Sequence, residues 1–219
     1  MKVTTHFFFI VVLFIGFAQI AMSQIIPPNP ITVTGIATMY ARDPLTQSLC
    51  FGDGGPGGLF QDGIAKNRCS DLNFNSYIAN AFKVGVEGNR KGVILDLGTA
   101  EELKAKYGFT ETVGNGQAFA SIDIRNGKAQ ILKDYKTGDL QDLVESTSLF
   151  ESFKNRESIP VKVGHIYLIR STGRDDKDPE MYAKVLVLAY TPSESVTVRW
   201  QLITDDQRTQ ITDPASPSH

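Results

Sequence analysis

The chain has 219 residues, of which 42% are hydrophobic, and a formal net charge of −2. That length is enough for one large or two small domains with a hydrophobic core. The weak charge and the lack of a Lys/Arg-rich run argue against nucleic-acid binding, and no apolar segment beyond residue 23 is long enough to span a membrane.

The first 23 residues have the order of a secretory signal peptide. Lys2 supplies the positive start, residues 7–18 are almost uninterrupted apolar residues, and Ala21 and Ser23 are small residues at the positions that a signal peptidase reads. The apolar run is about a dozen residues, shorter than the roughly 20 that a membrane-spanning helix needs. We therefore predict cleavage after Ser23 and a secreted or periplasmic protein.

The segment after the predicted cleavage site changes from irregular to strand-like. Residues 24–30 predict an extended leader, because their three prolines forbid a regular helix. Residues 31–41 alternate between apolar and polar side chains, which is typical of a strand. We assign residues 31–204 to a single β-rich globular domain, and the polar residues 205–219, with two prolines, to a disordered tail.

Residues 49–63 contain six glycines and Pro56, which predicts an irregular loop. Cys50 and Cys69 are the only cysteines, and an even count in an exported chain favours a disulfide that fastens this loop. Such a bond contributes roughly 3 kcal/mol to stability on the chain-entropy model. The alternative is a metal or redox pair, but the spacing gives no C-x-x-C element and no nearby His completes a zinc set. Residues 52–57 also fit the pattern G-x-G-x-x-G, which we interpret as part of the tethered loop and not as a dinucleotide site.

Residues 92–97 form a compact apolar run that predicts a strand. Thr99 and Glu102 have the spacing of a capping box, in which each side chain bonds a free amide of the first helical turn. Gly108 suits the residue after a helix. The sequence therefore predicts a short helix over 99–107.

A hairpin and a second helix are predicted next. Residues 119–124 and 128–133 flank Asn126-Gly127, which favours a tight turn because both residues tolerate a positive φ. Residues 139–153 have apolar side chains at helical spacing and predict an amphipathic helix. The apolar positions are Leu140, Leu143, Val144 and Phe150.

The C-terminal third predicts a three-stranded antiparallel meander over residues 164–171, 182–190 and 196–203. Trp200, the only tryptophan, shares a strand face with Val198. We therefore expect Trp200 to be a core residue and not an exposed platform for sugar stacking.

The connector before the second strand of the meander is acidic. Four carboxylates within six residues offer hard oxygen ligands for Ca²⁺, although their spacing does not match an EF-hand and neighbouring basic residues partly neutralise them. We prefer a solvated hairpin loop and keep calcium as the alternative. The candidate ligands are Asp175, Asp176, Asp178 and Glu180.

No catalytic constellation is evident in the sequence. His165 stands at the start of a predicted strand, where a structural or surface role is commoner than that of a base, and no G-x-S-x-G or S-x-x-K motif occurs. The carboxylates Glu87, Asp96 and Asp123 are candidates for an acid–base pair in glycoside hydrolysis, which requires a defined separation in space. We assign no catalytic or cofactor-binding residue.

Residues 35–40 (GIATMY) are similar to the opening strand of the double-psi barrel in expansin-like and rare-lipoprotein-A-like proteins, which act on cell-wall polysaccharide. The similarity covers six residues, and the His- and Pro-containing segment that the family has downstream is missing. We interpret these residues as an ordinary strand.

Together these elements predict an α+β domain that is mainly antiparallel β, with the meander, the hairpin and two short helices packed on one side. We expect an exported, non-catalytic binding or structural module for an extracellular or envelope ligand. The alternative is a small secreted cell-wall or polysaccharide hydrolase that uses a carboxylate pair.

Overall fold

The computed structural model describes residues 34–86, 91–108, 122–125, 128–134, 137–143, 157–172 and 180–203, which all belong to one compact unit. The predicted signal peptide (1–23), leader (24–30) and tail (205–219) lie outside these residues. Within the described ranges, no helix is long and apolar enough to cross a membrane. The elements are β1 (Thr34–Tyr40), β2 (Ser48–Cys50), β3 (Gly55–Pro56), β4 (Gly58–Gln61), β5 (Ile64–Asn67), β6 (Leu72–Phe74), β7 (Ala81–Lys83), β8 (Gly92–Thr99), α1 (Ala100–Tyr107), β9 (Ile122–Arg125), β10 (Lys128–Asp134), β11 (Asp139–Asp142), β12 (Ser158–Pro160), β13 (His165–Ser171), β14 (Met181–Thr191) and β15 (Ser195–Leu202).

The central sheet has five antiparallel strands in the order β1-β15-β14-β13-β8. Strands β13, β14 and β15 form the predicted meander, which is confirmed. Along β15 every second side chain is buried, as its apolar alternation predicts. Trp200 is fully buried, with its ring centroid 5.3 Å from that of Phe51. Gly35 faces this ring, and a Cβ there would lie 2.9 Å from the indole Nε1, so a larger residue would displace the tryptophan.

A second sheet, in the order β12-β7-β6-β2-β3, covers one face of the central sheet. The first core cluster contains buried side chains from both sheets, including Leu49, Phe74 and Trp200. Phe82 of β7 meets Tyr167 of β13 edge-on, with ring centroids 5.4 Å apart. Aromatic contacts of this kind add to the stability gained by burying apolar area.

The second core cluster includes residues from β8, β13, α1 and a three-stranded sheet, in the order β11-β10-β9. Leu103 and Tyr107 are the buried residues of α1. Alternation along β13 explains the two clusters, because Tyr167 belongs to the first and Leu168 to the second. The central sheet is therefore apolar on both faces along this strand.

The predicted capping box of α1 is confirmed. The Thr99 hydroxyl accepts a hydrogen bond from the Glu102 amide at 3.2 Å, and the Glu102 carboxylate accepts one from the Thr99 amide at 2.8 Å. Gly108 ends the helix at φ 66°, a conformation that glycine adopts without steric cost.

The predicted second helix is wrong over residues 139–142, which form β11. Leu140 pairs with Leu132 of β10, and the Leu143 amide donates to the Ala129 carbonyl, so sheet pairing satisfies this backbone. Residues 144–153 lie outside the described part of the chain. The described residues therefore contain one helix where two were predicted, while the prediction of a mainly antiparallel β fold is confirmed.

The hairpin formed by β9 and β10 is confirmed, while its turn at 126–127 lies outside the described residues. The glycine-rich segment contains more regular structure than predicted, because β3 and β4 fall within residues 49–63. Strands β4 and β5 form a two-stranded sheet of their own. Asp62 and Gly63 join them with φ values of 55° and 76°, the positive pair of a type I′ turn. We call residues 58–67 the arm.

Candidate functional site

A cluster of three ionisable side chains lies where β8 and β13 run side by side. Asp96 is on β8, His165 is the first residue of β13, and Lys162 precedes that strand. The pairing of the two strands shifts register between His165 and Tyr167. This irregularity lies where the histidine meets the aspartate, and bulges are frequent at functional positions.

Asp96 accepts hydrogen bonds from three groups. Its Oδ1 lies 2.8 Å from Nδ1 of His165 and 2.9 Å from the amide nitrogen of Gly98. Its Oδ2 lies 2.9 Å from Nζ of Lys162. Partial burial opposes ionisation of this carboxyl, but the hydrogen bonds from His165, Lys162 and Gly98, together with the attraction of the His165 ring in its protonated form, outweigh it and lower the pKa of Asp96.

The arrangement fixes the tautomer of the histidine. Ionised Asp96 can only accept hydrogen bonds, so Nδ1 of His165 carries the proton and donates it. A neutral ring then has Nε2 as a free base, which is the orientation that a carboxylate gives to a catalytic histidine. The cluster contains both His165 and Asp96, which the sequence singled out separately.

Asp123 is the one other candidate carboxylate that the structure describes, and its ion-pair partner lies outside this cluster. Asp123, on β9, accepts a hydrogen bond from Nε of Arg125 at 2.7 Å and is largely buried. Glu87 lies outside the described residues. The carboxylate pair of the hydrolase hypothesis therefore stays a prediction.

Of the four candidate calcium ligands, only Glu180 is described. Its Oε1 lies 2.6 Å from Nε of Arg170, and its Oε2 accepts a hydrogen bond from the Tyr182 hydroxyl at 2.7 Å. Both oxygens thus have protein partners. Asp175, Asp176 and Asp178 lie outside the described residues, so the calcium hypothesis stays a prediction.

The disulfide between Cys50 and Cys69 is confirmed, with Cα atoms 5.3 Å apart. Asp71 offers a carboxylate within 4.8 Å of both sulfurs, but the cysteines are bonded to each other and supply no thiolate to a metal. The G-x-G-x-x-G run contains β3 and leads into β4 and not into a helix, so it lacks the helix N-terminus that binds a pyrophosphate.

One end of the two packed sheets brings several connecting segments together. In the central sheet the end of β1 lies beside the start of β15, and the start of β13 lies near the end of β14. Asn80 joins the two sheets here, because its Oδ1 accepts from the Ser193 amide at 2.7 Å and its carbonyl from the Val161 amide at 3.0 Å. The arm begins at the same end, where the Gly58 amide donates to the Leu45 carbonyl. We call residues 41–47, 58–67, 75–80, 161–164 and 192–194 the loop end.

The loop end carries most of the exposed large apolar side chains. Eight such side chains are exposed among the described residues, and Ile36 on β1 and Leu188 on β14 are the two that the loop end and the residues directly before it do not include. The other six are each more than half exposed and lie in the loop end or directly before it. They are Tyr40, Phe60, Ile64, Tyr77, Ile78 and Val163.

Charges near these side chains are balanced. Lys66 of the arm lies 3.2 Å from Asp62, and Lys162 is bound to Asp96. Nζ of Lys83 lies 4.5 Å from the centre of the Tyr77 ring. The loop end therefore presents apolar and aromatic surface without a strong field of either sign.

Sequence reasoning missed the loop end, because it depends on loops that are far apart in the chain. One local signal was available. Asp62-Gly63 between short apolar runs is a strong hairpin signal, and it predicts the arm that exposes Phe60 and Ile64.

The chain matches none of the protein-family models, curated proteins or solved structures with which it was compared.

Proposed function

We propose that the protein is an exported, non-catalytic binding module that recognises its ligand through the loop end. The observation that supports this is the concentration of six exposed apolar side chains, on the arm, on nearby loops and at the end of β1, at one end of the two packed sheets. Contiguous exposed apolar surface usually marks an interaction site, and loops on a rigid scaffold commonly carry binding residues. The predicted signal peptide and the disulfide fit an oxidising compartment.

The arm is the part of the loop end that most needs a partner. Among the described strands, its two strands pair with each other alone, and alternation puts Phe60 on one face and Ile64 on the other. An isolated two-stranded hairpin is at best marginally stable in water. Covering these two side chains stabilises a complex by about 1.5–3 kcal/mol each.

The disulfide prepares the arm for binding. Cys50 and Cys69 close the loop that contains it, and the amides of Arg68 and Cys69 both donate to the Gly57 carbonyl at its base. A Cβ at Gly57 would lie 1.8 Å from the Cys69 carbonyl oxygen, so the two chain segments touch there. A base held in this way reduces the entropy lost when the arm binds.

The balanced charges indicate the class of ligand. A protein that binds a polyanion or a polycation has a binding surface of the opposite charge. At the loop end each cation named above lies beside a carboxylate or an aromatic ring, so the surface has no such excess of charge. We therefore expect a ligand with an uncharged face, such as the apolar face of a glycan or an apolar peptide segment.

The test is a binding screen against immobilised envelope polysaccharides and a peptide library, with the double variant Phe60→Ser/Ile64→Ser. We expect the variant to lose at least about tenfold in affinity, which corresponds to about 1.4 kcal/mol, while its melting temperature is unchanged. Leu188→Ser, an exposed aliphatic position on β14, is the matched control and should bind as the parent does. Equal affinity of the double variant and the parent would exclude the arm as the recognition element.

The contact between Asp96 and His165 supports a second candidate, a secreted hydrolase in which Nε2 of His165 is the general base. In that case His165→Ala and Asp96→Asn abolish turnover of cell-wall polysaccharide, whereas Lys162→Met leaves most of it. Turnover that survives in His165→Ala would leave the cluster with a structural role only.

A further inference from the structure

Strand β1 is an edge of the central sheet without the usual protection against pairing. It has seven residues, none of them charged and none a proline, and its register with β15 is regular over its full length. Ile36, near its middle, is 58% exposed. A long, regular, uncharged edge strand is a template for another strand, and proteins normally block such edges.

Apart from β4, which has four residues and belongs to the arm, the other edges in the described ranges carry a charged residue or a proline. Strand β3 has two residues and β12 has three, so both are also very short. A charge or a proline on an edge strand disfavours pairing with another chain. The residues concerned are Asp96 on β8, Pro56 on β3, Pro160 on β12, Asp123 and Arg125 on β9, Asp139 and Asp142 on β11, and Lys66 on β5.

The hydrogen bonds next to β1 show which of its backbone groups point outward. The Ala41 amide donates to the Glu194 carbonyl at 2.8 Å, so the odd-numbered residues of this segment bond to β15. Because backbone groups alternate along an antiparallel ladder, the amides and carbonyls of Ile36 and Thr38 point to the outer edge. Within the described part of the chain, β15 is the one strand that pairs with β1.

We propose that β1 pairs antiparallel with β1 of a second copy, which joins the two central sheets across a twofold axis at Ala37. In this register Ile36 of each copy lies opposite Thr38 of the other. The two amides and two carbonyls of each such pair form the hydrogen bonds of an antiparallel ladder. The small side chain of Ala37 permits close approach at the axis.

The occupant is a second copy because β1 complements itself. An uncharged edge strand offers no ion-pair partner to a charged strand, so an uncharged strand suits it better. Two copies of β1 pair without a like-charge contact. The exposed Ile36 side chain is then covered by the β-branched side chain of Thr38, a cross-strand pair that stabilises sheets. The pairing uses β1 over its length, so that Tyr40 of each copy lies opposite Thr34 of the other, and it does not use the segments of the loop end.

The test is sedimentation velocity over about a hundredfold range of protein concentration, combined with hydrogen exchange of single amides. We expect a concentration-dependent dimer in which the Ile36 and Thr38 amides exchange more slowly as the dimer forms. Thr38→Pro removes an outward amide without breaking a bond to β15, and it should be a monomer under conditions where the parent is a dimer.

Thr38→Val is the matched control, because it keeps the amide and loses the same 2.9 Å hydroxyl contact with Thr197. It should dimerise as the parent does. Ile36→Lys, which places two like charges beside the axis, should also be a monomer, and it replaces Thr38→Pro if that variant does not fold. A parent protein that is monomeric at all concentrations, or a dimer that persists in both variants, would overturn the proposal.

Discussion

Lys184 is a lysine whose side chain is enclosed by the protein. It lies in the middle of β14, between Tyr182 and Leu186, whose side chains pack against the second core cluster. Its side chain is buried, and desolvation lowers the pKa of Lys184 to about 7. A lysine in an unfolded chain has a pKa of about 10.4. The unfolded state therefore binds more protons than the folded state between these two values.

This difference predicts how stability depends on pH. The free energy of unfolding should rise with pH between about 7 and 10, by up to about 1.4 kcal/mol per pH unit, and be flat with respect to this group below pH 7. Replacing Lys184 by Met should remove that rise. Urea denaturation of the parent and of Lys184→Met, at several pH values between 7.5 and 9.5, measures this rise in the free energy of unfolding.

Lys104→Met is the matched control, because Lys104 is an exposed residue of α1. It should keep the slope of the parent. If Lys184→Met and Lys104→Met have the same dependence on pH, then Lys184 is charged in the folded protein over this range.

At the scale of elements, the disulfide and the arm form one unit. We expect the double variant Cys50→Ala/Cys69→Ala to lose about 3 kcal/mol of stability, because the unfolded chain regains the entropy of the open loop. Alanine is chosen because both cysteines are buried. Chemical denaturation measures the loss, and hydrogen exchange locates it.

The exchange pattern should show that the effect is local. Amides of β4 and β5 should exchange faster in the double variant, whereas those of β13 and β14 should keep their relative order of protection. Slow exchange of the arm in the variant would mean that packing, and not the disulfide, holds it in place.

Prediction from the sequence succeeded for elements whose signals are local. The meander follows from alternating side chains, α1 from the Thr99 and Glu102 cap, and the disulfide from the count of cysteines. It failed at residues 139–142, where Leu140 and Leu143 fit a helical spacing but pair with β10. Helix propensity is weak over so short a segment, and tertiary pairing overrides it.

The candidate site was harder to predict than the fold for a related reason. Asp96 and His165 are distant in sequence, and only the pairing of β8 with β13 makes them neighbours. The loop end likewise depends on which strand ends lie together. A single sequence indicates strands well but gives little information on their order in a sheet.

At the scale of the whole molecule, the two core clusters share the central sheet. Tyr167 and Ile169 of β13 belong to the first cluster, and Ile166 and Leu168 of the same strand belong to the second. A strand that contributes to both cores cannot lose its packing on one face without disturbing the other. We therefore expect one cooperative unfolding transition and not two separate ones.

Replacing Trp200 by Ala tests this coupling. Trp200 is fully buried in the first cluster, and removing its side chain should cost about 3–5 kcal/mol. The free energy of opening that hydrogen exchange measures should fall by the same amount for amides of β10. This strand packs in the second cluster and does not pair with β15. Hydrogen exchange at β10 and the melting curve by circular dichroism provide the two measurements. Phe60→Ser, at an exposed position of the arm, is the control and should change neither. Full protection of β10 in a Trp200→Ala protein with an unfolded first cluster would show that the two clusters unfold independently.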